Sequence, residues 1–295
     1  MYDHILVPTD GSEHAERAAD HAVLLAGAFD ATVHLLTVVD IEAAAGPFSA
    51  GGVDDAYVED RTADRREALA ERKTRLDEEV DVEAAVVTDS PAEGILGYVR
   101  DTDVDLVVMG THGRSGLRRY LTGSVAERVL RLSPVPVLTV RAIDASAVGD
   151  GYGDVLVPTD GSERASAAVA HAIAVADAFD STVHAVSVVN VGDIATGAET
   201  GVPPEFLEEL EAAATSATEA IANEVDAAGL ESVTAVWTGR PKHDLLEYVA
   251  DHDVDLVVMG THGRTGLDRM LLGSTAEALV RRAEVPVMTV SESGE

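Results

Sequence analysis

The sequence contains no cysteine, which excludes a disulfide framework, a thiolate nucleophile and a cysteine-based metal site. Its apolar runs stop well short of the ~20 residues that a membrane-spanning helix needs. Asp3 and His4 interrupt the start of the chain, so we expect no signal peptide there. These absences lead us to expect a soluble, cytoplasmic protein with no membrane partner.

Basic residues are scarce as well. The chain has 21 lysines and arginines against 53 acidic residues, a net charge of −32, and Lys73 and Lys242 are its only lysines. Residues 1–150 carry −14 and the remainder −18, so the acidity belongs to the whole surface. Such a surface indicates a salt-rich, halophilic cytoplasm, where the Debye length falls to ~3 Å near 1 M salt; the alternative is an acidic mesophilic protein. Nucleic acid is not expected as a partner, because the basic footprint it needs is missing.

A long sequence pattern occurs twice, at a constant offset of 150 residues. Ile5–Glu13 returns as Val155–Glu163, and the later motifs keep the same offset. A chain of 295 residues is long enough for two domains that each bury a core. We therefore predict two tandem domains, residues 1–142 and 153–295, joined by a Gly-rich linker over residues 143–152.

Short apolar runs alternate with helical segments in each half. This order predicts an α/β fold of two tandem, doubly wound, five-stranded parallel-sheet domains, Rossmann-like and nucleotide-binding. Ligands of such sheets bind outside the carboxyl ends of the strands, where Asp10 and Gly110 fall. The strands predicted in the first half are His4–Pro8, Thr32–Val39, Val82–Val87, Asp105–Met109 and Val135–Val140.

A glycine-rich stretch directly follows the fourth predicted strand in each half. It runs from Gly110 to Gly116 before Gly123-Ser124, and it recurs from Gly260 to Gly266 before Gly273-Ser274. A buried strand that breaks into glycines and then opens a helix can bring backbone N–H groups close to a phosphate. The alternative is a strand–turn–helix connection whose glycines only take positive φ. Two copies at identical spacing favour the phosphate site.

The roles of several side chains near this stretch have two possible interpretations. Asp10 and Asp160 are candidates to accept from a ribose hydroxyl or an adenine amino group, or else to cap the next helix, with Glu13 completing a capping box after Asp10. Ser124 and Ser274 are candidates for phosphate contact or for helix capping, each with Glu three residues on.

The loops also carry charged and titratable residues. Arg114 and Arg264 are expected to neutralise phosphate charge. His112 and His262 are conceivable metal ligands or general bases, but a lone loop histidine is more often a solvated or hydrogen-bonding side chain, which is the interpretation we favour. The remaining histidines show no constellation in the sequence.

Several enzyme classes are excluded by missing motifs. The chain has no Gly-x-x-x-x-Gly-Lys-Ser/Thr P-loop, no glycine fingerprint after its first strand and no Gly-x-Ser-x-Gly elbow. No general base is evident near the glycine loop, so we expect no catalytic residues and at most a weak ATPase.

The segment Val7–Ser12, together with Gly110, Gly113 and then Gly123-Ser124 after nine intervening residues, resembles the universal stress protein family. The repeated motif makes the chain similar to tandem members of the ATP-binding branch. The resemblance implies adenine near Pro8, Thr9, Asp10 and the backbone of Val38, and phosphates on Met109, Gly110, Gly113, Gly123, Ser124 and Val125. The second copy would use Pro158, Thr159, Asp160, Val188, Met259, Gly260, Gly263, Gly273, Ser274 and Thr275. Thr275 departs from Val125, and positive charge is lower in the second half.

The function expected on these grounds is that of a stress-response protein that binds ATP, with Mg²⁺ accompanying the phosphates. It would act as a nucleotide-dependent regulatory or interaction module on a protein partner that the sequence does not identify. The alternative is a slow ATP-hydrolysing or nucleotidyl-transfer enzyme. Family members often pair their fifth strands, so the resemblance also implies a pseudo-two-fold internal dimer and allows a homodimer.

Overall fold

The structure, a computed structural model, describes residues 1–40, 55–112, 123–190, 204–261 and 272–291. The chain separates into two compact units, Met1–Ala142 and Ile143–Glu295. The residues of the predicted linker begin the second unit, where Asp144–Ser146 form a 3₁₀ turn. Tyr152 follows and is buried with its ring edge against Phe179.

The first unit is an α/β domain with five parallel strands. The strands adjoin in the order β3-β2-β1-β4-β5, and every adjacent pair is parallel. The chain winds from β1 outward through β2 to β3 and then returns to β4 on the other side of β1. The elements are β1 His4–Pro8, α1 Glu13–Phe29, β2 Thr32–Val39, α2 Asp55–Leu76, β3 Val82–Thr88, α3 Pro91–Asp101, β4 Leu106–Gly110, α4 Ser124–Leu132 and β5 Val137–Val140.

The second unit repeats this winding, with its strands in the order β8-β7-β6-β9-β10 and all adjacent pairs parallel. The predicted fold of two doubly wound five-stranded domains is therefore confirmed. The elements are β6 Asp154–Pro158, α5 Glu163–Phe179, β7 Thr182–Asn190, α6 Pro204–Ala227, β8 Ser232–Gly239, α7 Pro241–Asp251, β9 Leu256–Gly260, α8 Ser274–Arg282 and β10 Val287–Val290.

The central strands are buried on both faces, which explains their unbroken apolar sequences. Ile5, Leu6 and Val7 of β1 have no exposed surface, and neither do the first three residues of β4. Parallel sheets carry helices on both faces, so both sets of alternating side chains must be apolar. The winding reverses between β1 and β4, and a crevice at the carboxyl ends of those strands follows from that reversal.

Helix α1 starts differently from the prediction. Its N-cap is Ser12, whose hydroxyl accepts from the Ala15 amide at 3.3 Å. The predicted capping box of Asp10 and Glu13 is therefore wrong. Asp10 instead accepts from the Ser12 amide at 3.0 Å, which closes a turn ahead of the helix.

The longest described helix, α6, has 24 residues and carries acidic side chains along its length. Helix α2 has 22 residues and a strongly polar composition. Within the described parts of the chain, no helix combines the length and the apolar character needed to cross a membrane.

A hydrogen-bonded histidine lies near the amino ends of the strands in each unit, opposite the crevice. In the first unit, the His34 ring lies 3.0 Å from the Tyr98 hydroxyl and 3.1 Å from the His4 ring. In the second unit, the His184 ring lies 2.9 Å from the Tyr248 hydroxyl and 2.8 Å from a carboxylate oxygen of Asp154. The expectation that these histidines form no constellation was wrong, because the partners come from strands and helices distant in sequence.

This cluster predicts acid sensitivity of the first unit. Burial lowers the pKa of His34, and the nearby His4 ring lowers it further, while Glu83 and Asp105 act in the opposite direction. The unfolded chain, in which histidine titrates near 6.5, therefore takes up the proton more readily. The stability that neutral His34 contributes should be lost as pH falls through about 6.5 towards the lower folded pKa.

Glutamine in place of His34 keeps hydrogen-bonding capacity but cannot titrate. We therefore expect the Tm of His34→Gln to fall less than the Tm of wild type between about pH 7.5 and pH 5.5. The matched control is His243→Gln, since the His243 side chain is 66% exposed. Thermal melts monitored by circular dichroism at several pH values provide the comparison. Identical pH profiles for His34→Gln and wild type would contradict the prediction.

Candidate functional site

A cavity of about 350 Å³ lies at the crevice of the first unit, at the carboxyl ends of β1, β2 and β4. It brings together every first-copy candidate that the structure describes. These are Pro8, Thr9, Asp10, Val38, Met109, Gly110, Gly123, Ser124 and Val125. Gly113 and Arg114 lie outside the described residues, so their predicted phosphate contacts stay predictions.

The sequence interpretation missed the side of the cavity formed by α3. Pro91 and Ile95, one helical turn apart, line it together with Leu36 of β2. A Cβ atom on Gly94 would lie 2.8 Å from a methyl carbon of Val38, so this glycine allows α3 to lie close to β2. Helical periodicity marks α3 as amphipathic, but it does not say which strand end the helix covers. The other missed lining residues are Ala15, Thr111 and Ala126, and His112, considered from the sequence as a lone loop histidine, also lines the cavity.

The start of α4 supplies backbone donors to the cavity. The Gly123 amide donates to the Thr111 carbonyl at 2.7 Å, and the first helical hydrogen bond runs from Glu127 to Gly123. The Gly123 amide is therefore already used. The amides of Ser124, Val125 and Ala126 precede the first intrahelical bond and carry the positive end of the helix dipole.

The predicted capping box at Ser124 is wrong. Gly123 occupies the N-cap, and Ser124 is the first helical residue, with an exposed side chain. Gly273 and Ser274 hold the same positions at the start of α8. The cap falls one residue earlier than expected because the N-cap Gly123 is held by its backbone bond to Thr111 and not by a side chain.

Gly110 has a packing role that explains why it is glycine. A Cβ atom at this position would lie 2.6 Å from the Cβ and 2.7 Å from the backbone carbon of His14, in the first turn of α1. Positive φ is not the reason, since the described glycines with positive φ are Gly11, Gly161 and Gly229. Gly110 therefore brings α1 against the end of β4 and shapes the crevice.

Asp10 is held in a tight turn after β1. Besides the Asp10–Ser12 contact, the Gly11 amide donates to the Thr9 hydroxyl at 3.2 Å, and Gly11 takes a φ of 78°. The Thr9 amide donates to the Leu36 carbonyl at 2.8 Å, which fixes the turn to β2. Asp10 is the one carboxylate among the described residues that line the cavity.

His112 is not a lone histidine. Its Nδ1 lies 3.1 Å from the Thr111 hydroxyl, and its ring centroid is 5.2 Å from that of His14. Burial, and then the neighbouring His112, lower the pKa of His14. This pair is not visible in the sequence, because His14 belongs to α1 and meets His112 only through the packing at Gly110.

The second unit repeats the backbone arrangement at the ends of β6, β7 and β9. The Gly273 amide donates to the Thr261 carbonyl at 2.7 Å, and the Asp160 carboxylate accepts from the Ser162 amide at 3.0 Å. Gly263 and Arg264 lie outside the described residues. The described second-copy candidates lie on these strand ends or on the start of α8: Pro158, Thr159, Asp160, Val188, Met259, Gly260, Gly273, Ser274 and Thr275.

A cluster of potential metal ligands lies on α7. His243, Asp244 and Glu247 place their ligand atoms within 4.8 Å of one another. Asp244 is already engaged at the helix start, where it accepts from the Arg240 amide at 2.7 Å. The His243 and Glu247 side chains are mostly exposed. Exposed acidic groups beside a histidine are common at helix starts, so we do not assign a metal site to this cluster.

The model of the universal stress protein family matches residues 1–141 and, a second time, residues 151–291. The chain belongs to the universal stress protein family. A universal stress protein of Methanocaldococcus jannaschii is 38% identical over 142 residues, covering 48% of this chain and 83% of that protein. One from Mycolicibacterium smegmatis is 27% identical over 297 residues, covering 97% and 96%. The crystal structure of a universal stress protein from Archaeoglobus fulgidus, 23% identical, gives a TM-score of 0.75 over 99% of this chain and 98% of its own, so the fold is shared along the whole chain.

In this family member we expect Gly110→Ala to destabilise the fold by about 1–3 kcal/mol, because the added methyl must displace helix backbone. Gly27→Ala is the matched control: nothing lies within 4 Å of its added Cβ, and the residue is inside α1. That change should stabilise the protein by about 0.5–1 kcal/mol. Chemical denaturation of the two variants measures both effects, and equal stabilities would contradict the packing role of Gly110.

Proposed function

We propose that this universal stress protein binds ATP in the crevice of its first unit, and in the matching crevice of the second, as a nucleotide-dependent regulatory or interaction module. The observation that supports this most is the build of the first cavity, which has apolar walls at one end and helix-start amides at the other. The stress-response role and the protein partner are part of the proposal.

The apolar end of the cavity suits a planar base. Leu36, Val38, Pro91 and Ile95 line it with hydrocarbon, and its volume of about 350 Å³ falls within the range of small-molecule sites, roughly 300–1,000 Å³. The base would be held by burial of apolar surface and by backbone groups at the ends of β1 and β2. Asp10, fixed in its turn, would accept hydrogen bonds from the ribose hydroxyls.

The other end suits the phosphates. The amides of Ser124, Val125 and Ala126 lie at the positive end of α4, where anions bind readily. A hydrogen bond to a charged group is worth about 1.5–3 kcal/mol net. Contacts from Gly113 and Arg114 would add to this, and for a protein of net charge −32 such local attraction must outweigh general repulsion of the ligand.

Mg²⁺ fits this lining as an ion that arrives with the nucleotide. The described lining residues include one carboxylate, that of Asp10, so they do not form an all-protein cage. Mg²⁺ usually keeps several waters and is held by one or two carboxylates together with phosphate oxygens. Bound in that way, the ion would neutralise part of the triphosphate charge.

The proposal is tested by placing negative charge where the phosphates should lie. Ser124→Asp and Ser274→Asp change exposed residues at the first positions of α4 and α8. A negative charge at that position interacts favourably with the positive end of the helix dipole, so the fold should persist. Each change should weaken ATP binding at its own site by at least about tenfold, equivalent to 1.4 kcal/mol. Isothermal titration with Mg-ATP in molar KCl measures the affinity and the number of sites.

Ser216→Asp is the matched control, since it adds the same charge on an exposed position of α6. It should leave ATP affinity unchanged. ATP binding that survives in the double variant Ser124→Asp/Ser274→Asp, or that is absent from the wild-type protein, would contradict the proposed function.

A further inference from the structure

Three basic side chains from three elements meet beside the phosphate end of the first crevice. His14 lies in the first turn of α1, His112 follows β4, and Arg141 follows β5. The centroids of the two imidazole rings lie 5.2 Å apart, and the positive charge of Arg141 contributes to lowering the pKa of His14. Since His112 lines the cavity, this cluster borders the space assigned to the triphosphate.

The packing at Gly110 fixes this arrangement. With no Cβ on Gly110, the His14 backbone lies against the end of β4, and the side chain therefore reaches the loop that carries His112. His14 is half-buried, so it cannot avoid its neighbours by turning fully into solvent. Among the described residues, the charged groups that act on it are Glu13, Asp10 and Arg141, besides His112 itself.

Without a ligand, His14 resists protonation. The pKa of His14 is lowered first by burial, then by His112 and Arg141, and Glu13 and Asp10 offset this only in part. A triphosphate would bring several negative charges to the same place. An added anion favours the charged form of a neighbouring histidine, so phosphate binding and protonation would support each other.

The duplicated chain supplies an internal comparison. At the offset of 150 residues, Arg164 stands at the position of His14, and Ser291 stands at the position of Arg141. Each unit therefore has one arginine at these two positions. At the first position, however, the first unit has the titratable His14 and the second has the permanently charged Arg164. Arginine stays protonated at any ordinary pH, whereas histidine titrates near neutrality.

Building on the proposed function, we propose that His14 and His112 form a proton-dependent anion-binding pair, so that nucleotide binding by the first unit strengthens as pH falls and takes up protons. His14 takes up the proton, and His112, whose ring centroid lies 5.2 Å away, lines the cavity beside it. The second unit, with Arg164 in place of a titratable side chain, responds less to pH. One chain thereby carries a pH-responsive nucleotide site and a less responsive one.

The test uses the full chain with one site disabled at a time. Ser274→Asp leaves the first site, and Ser124→Asp leaves the second. Isothermal titration with Mg-ATP is run from about pH 8 to pH 6 at constant molar KCl, in buffers with different heats of ionisation, so that proton uptake is measured directly. At the first site we expect affinity to strengthen at least about threefold over this range, with net proton uptake.

His14→Gln in the Ser274→Asp background identifies the group responsible. Because phosphate groups can themselves titrate near about pH 6, wild-type and variant proteins are compared with the same nucleotide. The difference between them then reports only the protein's contribution. We expect the gain in affinity at low pH and the proton uptake to shrink in His14→Gln, whereas His14→Arg should bind tightly throughout. Imidazole NMR signals that disappear in His14→Gln should shift to the protonated form when nucleotide is added to wild type.

The outcomes separate the two proposals. Binding by the Ser274→Asp protein with the same pH profile in wild-type and His14→Gln backgrounds would overturn the proton-dependent pair and leave the nucleotide site intact. Absence of binding at every pH in both single-site proteins would overturn the proposed function itself. Melting temperatures of all variants show whether any loss of binding comes from unfolding.

Discussion

The contact between Gly110 and the first turn of α1 is the interaction on which the first site depends. It brings the helix against the end of β4 where the winding of the sheet reverses, and so sets the width of the crevice. The same contact delivers His14 to His112. Any side chain at this position would meet the backbone of α1, which is harder to move than a side chain. Gly110, which the sequence pattern predicts as a phosphate-loop residue, thus has a packing role as well.

The cavity joins two surfaces that have different physical origins. Its apolar walls come from side chains of β2 and α3, which pack closely because Gly94 leaves room for Val38. Its polar end comes from the backbone at the start of α4, where the Gly123–Thr111 bond holds the helix start beside the end of β4. The nucleotide that we propose as the ligand would use both surfaces, the base on the apolar walls and the phosphates at the helix start. Both surfaces result from contacts between separate elements, so neither can be read from a single motif.

The fold was predictable from the sequence because its signals are local. The apolar run Leu106–Met109 predicts a strand buried on both faces, and the 150-residue offset predicts a second domain with the same winding. The predictions that failed concern contacts made across the sheet or at helix starts. Ser124 looked like a capping residue because sequence alone does not reveal the backbone bond from Gly123. His34 and His112 looked isolated because Tyr98 and His14 are distant in sequence.

The two units share a backbone plan and differ in the residues around it. Asp10 and Asp160 stand in identical turns, whereas His14 is matched by Arg164, and Val125 by Thr275. A duplicated chain can keep the packing that builds the crevice and still change the electrostatics of each copy. Local charges in a partly buried crevice are screened less than charges on the exposed surface, so they can act on an anion despite the acidity of the whole chain.

A crystal structure of the protein grown with ATP and Mg²⁺ tests the central claim most directly. The account predicts phosphate oxygens within hydrogen-bond distance of the amides of Ser124, Val125 and Ala126, and the adenine between β2 and α3 against Val38 and Ile95. An empty crevice at saturating nucleotide, or ATP bound elsewhere on the chain, would contradict it.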